Sequence, residues 1–90
     1  MEDWIIKYKT ASKNDIRKVL KSPYRASFLS ILEVLKKDPY APTQSFEKLA
    51  SPGAGKYSRR INGQHRVVYT IDKSNHVVRI LSAWSHYESM

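Results

Sequence analysis

Tyr57-Ser58-Arg59-Arg60-Ile61-Asn62-Gly63-Gln64-His65-Arg66-Val67-Val68-Tyr69-Thr70-Ile71 decides the fold of this chain. Asn-Gly at its centre accepts the positive φ angles of a type I′ turn, and the segments on either side are β-rich, so the stretch reads as a β-hairpin. A two-residue turn flanked by Ile61 and Gln64 would set Arg60 opposite His65, Arg59 opposite Arg66 and Tyr57 opposite Val68. Alternation then places Arg59 and Arg66 on one face, where like charges in register repel and call for an anion such as a phosphate. The other face would carry Val67, Tyr69 and Ile71 into the core.

Outward from the hairpin, the earlier half of the chain supplies the cover for that core. Trp4 to Tyr8 is aromatic and β-branched and reads as a first strand. Ser12-Lys13-Asn14-Asp15 resembles a capping box, with Asp in place of Glu, ahead of Ile16, Val19 and Leu20 at helical spacing. Ser22-Pro23 offers a second helix start, and Tyr24, Phe28, Ile31, Leu32 and Leu35 continue one stripe as far as Lys36-Lys37. Asp38-Pro39 to Pro42 stops that helix.

Beyond the stop, Thr43 to Leu49 reads as a short edge strand anchored by Phe46 and Leu49. Ser51-Pro52-Gly53-Ala54-Gly55 is a loop, and not a P-loop, because no Gly-Lys-Ser/Thr follows it. His76 to Leu81 is a last strand. The expected fold class is α+β: a small, largely antiparallel sheet with two N-terminal helices packed on one face.

Ninety residues suit one domain, 1–90, since a chain of this size buries only about 60–65% of its unfolded surface. The formal charge of +8, from 16 Lys and Arg against 8 Asp and Glu, favours polyanionic partners, nucleic acid first and an acidic protein second. The absence of cysteine excludes disulfides, thiol nucleophiles and Cys-type zinc sites, and suits the reducing cytoplasm. The acidic start and the lack of a long apolar run predict neither signal peptide nor membrane span. His65 and His76 lack the spacing of a metal pair, so no metal or cofactor is expected.

Glu47-Lys48-Leu49, Ser58-Arg59-Arg60-Ile61, His65-Arg66-Val67-Val68-Tyr69 and His86-Tyr87, in that order, resemble the YoeB/Txe family of toxins within the RelE superfamily. The resemblance implies the toxin of a type II toxin–antitoxin system: an mRNA endoribonuclease acting on the translating ribosome and restrained by a YefM-like antitoxin. A homodimer is compatible with it. By motif position Glu47 would be the general base, Arg66 the phosphate-stabilising cation, His86 the general acid and Tyr87 a positioning residue. Arg59, Lys48, Lys56 and Tyr57 are the expected substrate contacts. The sequence departs from many relatives at Tyr57, where they carry tryptophan, and at Ala50, where they carry lysine.

Chemistry asks for the same set. Cleaving RNA without a metal needs a base for the 2′-hydroxyl, an acid for the departing 5′-oxygen and positive charge at phosphorus, leaving a 2′,3′-cyclic phosphate and a 5′-hydroxyl. The competing readings are a non-catalytic RNA- or ribosome-binding module that uses the basic face for affinity alone and a DNA-binding regulator. Neither helical stripe shows the polar readers of a recognition helix, which weighs against the regulator.

Overall fold

A computed structural model describes residues 3–49 and 55–85. In chain order they form β1 (Ile5–Tyr8), α1 (Ser12–Leu20), α2 (Arg25–Lys37), β2 (Glu47–Lys48), β3 (Lys56–Arg60), β4 (Arg66–Asp72) and β5 (Val77–Ser85). The strands join in the order β1-β5-β4-β3-β2. Every pairing is antiparallel except β1 with β5, which is parallel, so the sheet is mixed. The exception follows from the route of the chain: β1 and β5 are separated by the whole helical layer and three strands, the long crossover that parallel neighbours require.

The helices take the face predicted for them. Val19, Phe28, Ile31 and Leu35 meet Ile61, Val67, Tyr69, Val78, Ile80 and Ala83 in one buried cluster. Alternation along β4 sends Val67 and Tyr69 into it, with Ile71 packed at its margin. Leu35 is 0% exposed at the C-terminal end of the stripe. Leu35→Ala is expected to cost about 2–5 kcal/mol in chemical denaturation, since transfer free energy and a cavity are both lost.

The helix starts differ from the pattern. Asp15 does not cap α1, because its Oδ2 accepts a hydrogen bond from the Ala83 amide at 3.2 Å and so ties the helix to β5. Ser12 lies inside the helix and donates back to the Lys9 carbonyl at 2.7 Å. At the next junction Ser22 Oγ accepts from the Tyr24 amide at 3.1 Å, holding a turn before α2 begins at Arg25.

The hairpin forms one register away from the expected one. Arg60 pairs with Arg66 and Arg59 with Val67. The connection closes through Ile61 N–H donating to the His65 carbonyl at 2.9 Å, which leaves Asn62, Gly63 and Gln64 as a three-residue loop. Neither Asn62 nor Gly63 takes a positive φ. Asn62 instead braces the loop with its side chain, Oδ1 accepting from the Gln64 amide at 2.7 Å and the His65 amide at 2.6 Å. Between β4 and β5 the register also shifts twice, between Arg66 and Val68 and between Val68 and Tyr69, where Leu81 has no counterpart.

Candidate active site

Sheet register sorts the candidate residues onto two faces. Glu47 pairs with Ser58, Ser58 with Val68 and Val68 with Ser82, so these four share the face away from the helices. Arg66 and Arg60 alternate onto that same face. Glu47 on the edge strand and Arg66 two strands away reach across Ser58, bringing Glu47 Oε2 within 3.7 Å of Arg66 Nη1. The Arg66 side chain is only 13% exposed and that of Glu47 47%, so the cation is held from below while the carboxylate faces solvent. A small residue at 58 makes this bridge feasible: Ser58 is fully buried beneath it. The hydroxyls of Ser58 and Ser82 are buried and lack a hydrogen-bond partner among the described residues, which leaves polar capacity in the floor of the site.

Arg59 is the principal correction. The register shift turns it onto the helix side, where it is 0% exposed, instead of beside Arg66. Its Nε donates to Tyr69 Oη at 3.0 Å, Nη1 to the Thr43 carbonyl at 2.8 Å and Thr43 Oγ1 at 3.3 Å, and Nη2 to the Pro39 carbonyl at 3.0 Å. The guanidinium carbon also lies 4.8 Å from the centre of the Phe46 ring. The predicted phosphate ligand is thus a buried clamp on residues 39–46, the segment that delivers Glu47 to the edge. Gln44 and Ser45 in this segment both hold positive φ, strain that the clamp helps sustain.

The remaining candidates separate likewise. Tyr57 lies on the helix side, stacked between Phe46 at 5.6 Å and Tyr69 at 6.0 Å. Lys48, in register with Tyr57, alternates away from Glu47, whereas Lys56 shares the face of Glu47 and Arg66. His86 and Tyr87 lie outside the described residues. Ser85, the residue before them in the chain, is in register with Arg66. Trp84 is anchored by stacking on His65 at 3.9 Å. Arg60, exposed beside Arg66, is absent from the candidates expected from the sequence because a two-residue turn places it on the other face.

Burial pushes the Tyr69 hydroxyl up to about 12, opposed by the nearby Arg59 charge and its hydrogen bond. A raised folded-state value contributes stability that is complete below the ordinary tyrosine pKa near 10 and disappears as pH rises through about 12. Parent protein should therefore lose stability over that interval more steeply than Tyr69→Phe in urea titrations at successive alkaline pH values.

The architecture recurs in solved toxins. The chain resembles the YoeB/ParE toxin from Agrobacterium tumefaciens at 24% identity and a TM-score of 0.81, covering 92% of this chain and 99% of that one. It resembles the toxin of the YoeB–YefM complex from Staphylococcus aureus at 28% identity and a TM-score of 0.76, and the YoeB dimer from the same organism at 28% and 0.79; each covers 93% of this chain and 98% of the other. Among curated proteins no sequence matches the chain significantly. The fold and these relatives define a toxin of the RelE kind from a type II toxin–antitoxin system. More narrowly, the chain belongs to the YoeB-like toxins of bacterial type II toxin–antitoxin systems, whose family model matches residues 7–87. No helix among the described residues is long and apolar enough to cross a membrane.

Proposed function

We propose that the chain is a single-domain, metal-independent mRNA endoribonuclease that acts on the translating ribosome in the cytoplasm. The observation that carries this reading is the approach of Glu47 to Arg66, 3.7 Å apart across an intervening strand, on the face away from the helices. Glu47 takes the 2′-hydroxyl proton as general base, and Arg66 stabilises the charge that develops at phosphorus. His86, as general acid, protonates the departing 5′-oxygen, and Tyr87 positions the nucleotide; both follow directly on Ser85, which is in register with Arg66. Lys56 and Arg60 flank this site on the same face and would hold the backbone, while Arg59 and Tyr57 support it from the core side.

An acidic antitoxin segment of the YefM type is the proposed restraint, neutralising Arg66 as it folds over the toxin. Purified protein with translating ribosomes and mRNA in EDTA should cut the message, leaving 2′,3′-cyclic phosphate ends, and added antitoxin should stop it. Binding without cutting would transfer the reading to a ribosome-binding module.

A further inference from the structure

The register arranges the cations of the site face in transverse rows. Lys56 pairs with Thr70, Thr70 with Arg79 and Arg79 with Lys7, so one row crosses four strands and carries three cations. The next row along β3 is Glu47, Ser58, Val68 and Ser82, and the one beyond it is Arg60, Arg66 and Ser85. Adjacent rows on one face lie two residues, about 6.8 Å, apart. That step resembles the one between successive phosphates of an extended RNA strand. The carboxylate row is therefore flanked on both sides by cations.

Lys7 and Arg79 are both exposed and neighbour each other on adjacent strands, an arrangement that repels unless an anion lies between them. With Thr70 they line one cavity of about 390 Å³. None of the ion pairs among the described residues involves Lys7, Lys56 or Arg79. Asp72 and Asn75 line the same cavity: the carboxylate accepts from Asn75 Nδ2 at 2.8 Å and from the Asn75 amide at 3.2 Å, and these bonds more than the Arg79 charge hold its pKa below the usual value, so Asp72 offsets Arg79 only in part and leaves Lys7 and Lys56 to an anion from outside. A row of spaced cations with a hydroxyl among them, and no large apolar anchor within the row, fits a phosphodiester backbone better than a protein segment.

We propose that Lys7, Lys56 and Arg79 form a second phosphate subsite that holds the RNA backbone beside the linkage facing Glu47 and Arg66. The proposal rests on the ribonuclease reading for the position of that linkage. Its test is binding of a 2′-O-methyl RNA oligonucleotide, which cannot be cut, by the full chain over a range of KCl concentrations. The Lys7→Gln/Arg79→Gln double variant should bind about 10-fold more weakly at low salt, with a log–log salt slope shallower by roughly 0.7–1.4, one or two phosphate contacts. Lys13→Gln/Lys18→Gln, an equal charge change on the exposed side of α1, should shift neither as much.

Equal losses in the two double variants, or an unchanged slope at Lys7 and Arg79, would overturn the subsite. So would a loss confined to binding of an acidic antitoxin peptide. A parent protein that binds with this slope but never cuts natural RNA would remove the ribonuclease and leave the subsite standing, so the two failures are separable.

Discussion

Glu47→Gln is expected to lower the single-turnover cleavage rate on ribosome-bound message by about 10²–10⁴, the range typical of one well-placed acid–base group. Glutamine preserves the shape of the side chain and an oxygen able to accept from Arg66, so the partner at 3.7 Å keeps much of its surroundings. What disappears is the capacity to take up a proton, the role proposed for Glu47. Message binding should therefore change little while the chemical step collapses, a split read by comparing oligonucleotide affinity with the rate at saturation. A variant that cuts at the parental rate would remove Glu47 from the chemistry and with it the acid–base reading of the site.

Arg59→Ala should be the most damaging substitution for stability, by about 3–5 kcal/mol in denaturant unfolding. The mutation takes the guanidinium donors away from the half-buried Thr43 carbonyl and from the buried Pro39 carbonyl, which keeps only the Tyr69 hydroxyl at 3.1 Å, and it opens space under the Phe46 ring. Each lost hydrogen bond from the charged guanidinium costs about 1.5–3 kcal/mol, and alanine replaces none of the volume. Arg60→Ala, one residue along but exposed, should change stability by less than about 0.5 kcal/mol. Similar effects at the two positions would contradict the faces assigned to them.

The contrast between these adjacent arginines marks where sequence reasoning reached and where it stopped. Periodicity in Phe28, Ile31 and Leu35, and alternation in Val67 and Tyr69, reveal helices, strands and core because burial enforces both patterns. Loop geometry carries no such pattern. Asn-Gly is compatible with a two-residue turn, but the Asn62 carboxamide bracing Gln64 and His65 stabilises a three-residue connection. That difference of one residue moved Arg59 from the site face to the interior and left Arg60 facing Arg66. Glu47 is a candidate through family resemblance alone, since a solvent-facing acid beside a lysine has no distinguishing local pattern. Its approach to Arg66 depends on the order of strands, which short segments of sequence do not encode. The parallel placement of β1 was hidden for the same reason: it depends on a partner at the far end of the described chain.

That partnership sets a timetable for synthesis. Both the first strand and the first helix find their docking surface on β5, the last of the described strands, and closing contacts between such distant segments delays folding until both exist. A nascent chain that has not yet released β5 from the exit tunnel has nowhere to seat its own beginning. The toxin should therefore complete its fold only after β5 has emerged, with β1 and α1 waiting unseated until then.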